Sequence, residues 1–252
     1  SAAPHLIAQN GGEEWRLTVE IVSIAAGLGG LLVLFISLGP HHATASKFDA
    51  RVLATAWTNR RVRLAYAGYL GHMWELYVMW AWIGVAAAAS YSLSMSEQAA
   101  NDFAKLTAFF AIAAGGIACI GAGYAADRIG KANITIISMV VSGARALLTA
   151  LTFGGPPWLT FFIVLVWGMS VIPDSAQFSA LVADASPPDQ AGSLLTLQTS
   201  LGFTLTFFTV QLTPTVVGWV GWPTLIAILA LGPAFGVVAM LRHRQIDREG
   251  TD

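Results

Sequence analysis

Between Thr18 and Leu241 the chain is cut into apolar stretches, and their length constrains the fold more than any other feature. Each runs close to the roughly 20 residues that a helix needs to cross hydrocarbon. The stretches are 18–38, 64–89, 106–124, 134–153, 158–182, 193–217 and 225–241. Turn-forming residues divide them, with Gly154-Gly155-Pro156-Pro157 after the fourth and Ser186-Pro187-Pro188-Asp189 before the sixth. Pro173 lies inside the fifth and should kink it, because proline removes a backbone donor. Pro214 lies near the end of the sixth. Of the 252 residues, 56% are hydrophobic and 11% charged, against about 25% charged in a soluble domain. A surface so poor in charge faces lipid. The expected fold class is all-α, a polytopic membrane helical bundle of seven spans.

The basic residues set an orientation. Lys47, Arg51, Arg60, Arg61 and Arg63 fall in the long connector 39–63; Arg128 and Lys131 fall between the third and fourth stretches; Arg242, Arg244 and Arg248 fall in the tail. Seven spans put all of these on one side and leave Arg16 and Lys105 on the other, with Arg145 inside a span. Cytoplasmic loops collect Lys and Arg, so the C-terminus is expected inside, in a cell (inner) membrane crossed several times. Trp15, Trp158, Trp219 and Trp222 then sit at the outer ends, where amphipathic rings favour the headgroup level. The connector itself reads KFDARVLATAWTNRRVR. It is expected to hold an amphipathic helix with Phe48, Val52 and Trp57 toward the membrane and Lys47, Arg51 and Arg60 toward water.

Several function classes drop out. A net charge of -1 gives no sign of a nucleic-acid partner. The lone Cys119 supports neither a disulfide framework nor a metal cluster. No paired His/Asp metal spacing, nucleophile elbow or phosphate loop is present, so no enzyme, catalytic residue or cofactor is expected.

Between the third and fourth stretches the chain reads Gly123-Tyr-Ala-Ala-Asp127-Arg128-Ile-Gly130-Lys131. Gly123 permits close helix approach, Asp127 can cap a helix or pair across the bundle, and Gly130 permits a tight turn. Arg128 and Lys131 favour the cytoplasmic side. The segment resembles the G-x-x-x-D-R-x-G-R/K signature of the major facilitator superfamily. The resemblance implies that this is the cytoplasmic gating loop between the eighth and ninth helices. Residues 1–17 would then be an extracytoplasmic loop and 18–38 the last helix of the N-terminal half. The connector 39–63 becomes the linker between halves, 64–241 the C-terminal six-helix bundle, and 242–252 a cytoplasmic tail. The opening SAAPHLIAQNGGEEW reads as a loop inside a longer chain, and the remaining N-terminal half would be this chain's partner. The implied activity is secondary transport of a small solute, proton-coupled or by exchange, through alternating access around a midplane site.

Ionisable groups within a span are costly, so each is a functional candidate. The richest stretch is the second, with Tyr69, His72 and Glu75. His72 and Glu75 are three apart, share a helical face with Gly68 and Met79, and lie near mid-bilayer. The resemblance places this helix along the central cavity. Glu75, assisted by His72, is the expected proton-coupling or substrate group; the alternative is a structural pair locking the helix to a neighbour. Asp174 and Gln177 follow Pro173 and share a face, lining the inner end of the pathway or standing at a helix end near cytoplasmic water. Gln198 is a further cavity candidate. Arg145 is expected to be structural or to snorkel. The aromatic residues Trp74, Tyr77, Trp80 and Trp82 read as packing or lipid contacts. Gly27, Gly29, Gly30, Gly115, Gly116 and Gly121 suit close helix packing.

Seven spans with the N-terminus outside also describe receptors and retinal proteins. A retinal protein needs a lysine within a span, and Lys47, Lys105 and Lys131 all lie at or beyond span ends. A ligand-sensing receptor without transport activity fits the topology but leaves the 123–131 motif and the basic connector without a role.

Overall fold

The computed structural model describes residues 15–36 and 51–249. Its regular structure is all helical: α1 (Trp15–Val33), α2 (Arg51–Thr58), α3 (Arg60–Tyr91), α4 (Glu97–Ile129), α5 (Lys131–Leu151), α6 (Pro157–Val171), α7 (Pro173–Ala185), α8 (Ala191–Leu229) and α9 (Leu231–Glu249). Among the described residues, five stretches are long and apolar enough to cross a membrane: Arg16–Val33, Glu97–Ile129, Lys131–Leu151, Pro157–Ala185 and Ala191–Asp247. α3 is not among them, although its 32 residues extend about 48 Å. His72, Glu75 and the arginines of its first turn lower its hydropathy. The described chain is a helical bundle of the kind a multi-pass membrane protein has.

The breaks fall where backbone chemistry demands. α6 stops at Val171 and α7 starts at Pro173, so the proline splits the fifth stretch as its missing donor predicts. Pro214 leaves α8 unbroken; the turn comes at Gly221, with φ 78° and ψ 166°. Only glycine adopts that region without strain. Residues 222–229 then lead back into α9.

Polar contacts gather the basic residues at one end of the bundle. Arg61 at the start of α3 pairs with Asp247 at the end of α9, 3.1 Å apart. Lys131 at the start of α5 reaches Asp184 at the end of α7, 2.5 Å away. Arg244 donates to Asn133, 3.0 Å, tying α9 to α5. Arg128 is three residues ahead of Lys131 and shares this end. From Arg60 to Glu249 the chain therefore passes up and down the bundle six times, counting α6–α7 as one pass and Gly221 as a turn.

The packing has an internal symmetry. Take α3, α4 and α5 as one triplet, and α6–α7, α8 up to Gly221, and the remainder through α9 as the other. The first member of each packs along the second of the other, α3 on α8 and α6 on α4. Each first member also packs along the third of the other, α3 on α9 and α6–α7 on α5, while α5 and α9 pack together. Glycines make two of these crossings close. A Cβ on Gly71 would lie 2.4 Å from the Gly232 carbonyl oxygen, and one on Gly115 2.6 Å from that of Gly168. Backbone approach of this kind is how helices associate where no hydrophobic drive exists. Of the other glycines expected to pack, Gly27, Gly29, Gly30, Gly116 and Gly121 have no neighbour within 4 Å. They stand on open helix faces.

The connector helix also differs from expectation. Val52 and Ala56 of α2 are buried in the core with Val62, Ala65 and Leu194, whereas Leu53 and Trp57 are exposed. Val52 and Trp57 are five residues apart, about 140° around a helix, so they cannot share a face. α2 is seated on the bundle through Thr55 Oγ1, which donates to Gln190 Oε1 at 2.7 Å. Asn59 caps α3 by accepting from the Arg61 and Val62 amides, and its Nδ2 donates to the Ala185 carbonyl at 2.8 Å. Lys47 and Phe48 lie outside the described residues.

Elsewhere the outer surface is apolar. Ile117, Leu151, Phe235 and Trp219 are all more than half exposed, a surface suited to hydrocarbon rather than water.

Candidate functional site

All six residues singled out in the spans are buried: Tyr69, His72, Glu75, Asp174, Gln177 and Gln198. Carrying a carboxylate into such an interior costs several kcal/mol unless hydrogen bonds meet it, so their partners define the site.

Glu75 is 1% exposed. Its Oε2 accepts from Ser142 Oγ on α5 at 2.5 Å, and its Oε1 accepts from Trp167 Nε1 on α6 at 2.6 Å. Both donors are neutral, so the carboxylate has hydrogen bonds on each oxygen and no cation on either. The expected Glu75–His72 partnership does not form. Along α3 the two side chains are only about 60° apart, yet the neighbouring helices draw them to different partners. His72 turns to α7, with its Nδ1 3.0 Å from Asp174 Oδ1 and both side chains 1% exposed. The distance suits an ion pair, but the alignment is not that of a hydrogen bond, and Asp174 Oδ1 has no hydrogen-bond partner. His72 Nε2 is likewise buried without one.

Asp174 is thus inside the bundle and not at a solvated helix end. Pro173 explains its position: by opening α7 there, it sets Asp174 in the helix's first turn, against α3. Phe178 closes the space around the imidazole, 5.9 Å from His72 and 6.2 Å from Tyr69 between ring centroids. Tyr69 rests on Gly202 of α8, where a Cβ would meet its ring at 2.5 Å. Gln198, one turn before Gly202, is 1% exposed, and neither its Oε1 nor its Nε2 has a hydrogen-bond partner. Gln177 is buried at 9% exposure, one turn beyond Asp174.

No family model matches this chain, and no curated protein matches it.

Sequence reasoning missed Ser142 and Trp167, the two residues that hold Glu75. A signal for the first exists: Thr135, Ser138, Ser142 and Thr149 recur at three, four and seven residues and form a buried polar stripe on α5. For the second, Trp167 is a tryptophan in the middle of a stretch, where a buried indole N–H needs an acceptor.

The 123–131 motif behaves differently from its expected roles. Gly130 does make the tight turn, with φ 91°, ending α4 and starting α5. Lys131 pairs with Asp184. A Cβ added at Gly123 would meet nothing within 4 Å among the described residues, so no described helix crosses closely there. Arg128 donates to its own helix at the Tyr124 carbonyl, 3.2 Å. Asp127 is exposed and, among the described residues, neither caps a helix nor pairs with a side chain. Arg145 is half-buried on α5.

Proposed function

We propose that this chain is the C-terminal part of a secondary transporter of the major facilitator type, working by alternating access and coupled to protons. The observation that carries the reading is Glu75: a carboxylate sealed in the bundle, met by two neutral donors and, among the described residues, by no cation, with a second buried acid, Asp174, paired to His72 nearby. Such a group calls for a mobile positive charge, and a proton is the smallest one. Asp174 and His72 supply a second place for that proton, with Nδ1 and Oδ1 3.0 Å apart.

Three further features support the reading. The exchange symmetry of the two triplets is what internal repeats of a transporter half produce. The gathering of Arg61, Arg128, Lys131 and Arg244 at one end suits a common cytoplasmic face. The break before Asp174 is of the sort that transporters keep where a helix lines a pathway. In this reading α1 is the last helix of the N-terminal half, α3 to α9 make six spans, and the solute passes between this bundle and the remaining half.

The test is uptake into proteoliposomes that carry the intact transporter, under an imposed pH gradient. Glu75→Gln fixes the side chain in a neutral state; it should abolish gradient-driven accumulation and leave solute exchange in place. Accumulation at the unmodified level in Glu75→Gln would remove the proposal.

A further inference from the structure

Beyond Glu75, α3 presents an aromatic surface to a different neighbour. Tyr77 and Trp80 of α3, Ile112 of α4, and Phe203, Phe207 and Gln211 of α8 line an open cavity of about 450 Å³. Sites for small organic molecules span roughly 300–1,000 Å³. The rings are held by one another: Tyr77 meets Trp80 edge-on with centroids 5.6 Å apart and lies 5.4 Å from Phe203. Trp80 Nε1 is buried and has no hydrogen-bond partner. By sequence Tyr77, Trp80, Trp74 and Trp82 all read as packing or lipid contacts. The last two do serve packing, since their indoles donate to the Ile228 and Val210 carbonyls.

The walls select by charge. Among the described residues no lysine or arginine lines the cavity, and the half-buried Arg145 belongs to α5, which contributes nothing to it. Glu75 is two residues from Tyr77, about 200° around α3, and faces α5 and α6, away from the cavity. Aromatic faces present the negative side of their quadrupole and attract cations. A hydroxyl-rich solute would find few polar partners here, chiefly the Gln211 amide, the Tyr77 hydroxyl and the Trp80 N–H. Each unmet hydroxyl would then be costly.

We propose that the cavity takes a lipophilic organic cation, a compact solute with its positive charge spread over or shielded by aromatic rings. The proposal deepens the transporter reading by naming the solute class, and it rests on that reading.

An isosteric pair of ions separates charge from shape. Tetraphenylphosphonium and tetraphenylborate would be titrated against the purified chain in lipid nanodiscs, with empty nanodiscs as the blank. The phosphonium is expected to bind saturably and the borate at least about tenfold more weakly. Trp80→Ala should weaken phosphonium binding by about tenfold, and Trp80→Phe, which keeps a ring face, by much less. Unchanged helicity by circular dichroism separates these effects from misfolding. Equal or tighter borate binding would overturn the proposal, as would phosphonium uptake no greater than in empty discs. So would indifference to Trp80→Ala in a folded variant. Charge-selective binding alongside a Glu75→Gln variant that still accumulates solute would sink the coupling reading alone; lost selectivity with intact coupling would sink this one alone.

Discussion

The Glu75 carboxylate and the Trp167 indole face each other across α3 and α6, 2.6 Å between Oε1 and Nε1, with both side chains no more than 1% exposed. The contact joins the first helix of one triplet to the first helix of the other. It also fixes the side-chain geometry of the group on which the proposed function depends.

Trp167→Phe keeps most of the ring volume and removes the donor. A buried carboxylate one hydrogen bond short should cost about 1.5–3 kcal/mol of stability, the range for hydrogen bonds to charged groups. Unfolding in mixed micelles, followed by circular dichroism, would measure it. Adding Glu75→Gln should recover part of the loss, because the uncharged amide demands less of its surroundings. A Trp167→Phe variant as stable as the parent would show that the bond contributes nothing.

His72 and Asp174 should be energetically coupled. In a double-mutant cycle of His72→Ala and Asp174→Ala, the interaction energy is expected between about 0.5 and 3 kcal/mol. The same micelle assay provides the readout. A value near zero would mean that the two side chains are neighbours without interacting.

Side-selective labelling tests the threading. In a Cys119→Ser background, Arg61→Cys and Arg128→Cys should react with an impermeant maleimide from the same face of sealed vesicles. Reaction of the two from opposite faces would contradict the contacts that bring Arg61 and Lys131 to one end of the bundle.

Two glycines on α3 and α4 should respond oppositely to one added methyl. Gly71→Ala pushes a carbon into the α9 backbone and should destabilise by about 1–3 kcal/mol, the usual range for overpacking. Gly116→Ala meets nothing within 4 Å and should stabilise by about 0.5–1 kcal/mol, the helix preference for alanine over glycine. Equal effects in the micelle assay would contradict the close crossing of α3 with α9.

Much of this architecture was legible from spacing and from breakers. Pro173 announced the joint between α6 and α7, and the run of prolines and glycines marked the other turns. Tyr69, His72, Glu75, Asp174, Gln177 and Gln198 all proved buried, because a polar residue inside an apolar stretch has little choice but to face protein. Partnership was less legible. His72 and Glu75 are close in sequence, and spacing alone suggests a pair; the choice of Asp174 over Glu75 is made by α7, just over a hundred residues away. The same limit applied to Val52 and Trp57, whose separation by five residues already denied them a common face. Gly123 and Asp127 matched a signature, yet a signature specifies neighbours that need not lie among the described residues.

The gap between α6 and α7 has a mechanical consequence. Trp167, which holds Glu75, is on one side of the Ile172–Pro173 joint, and Asp174, which meets His72, is on the other. Bending there cannot move one acid's partner without shifting its position relative to the other's. One elbow thus carries both contacts, the indole that holds Glu75 and the carboxylate that meets His72.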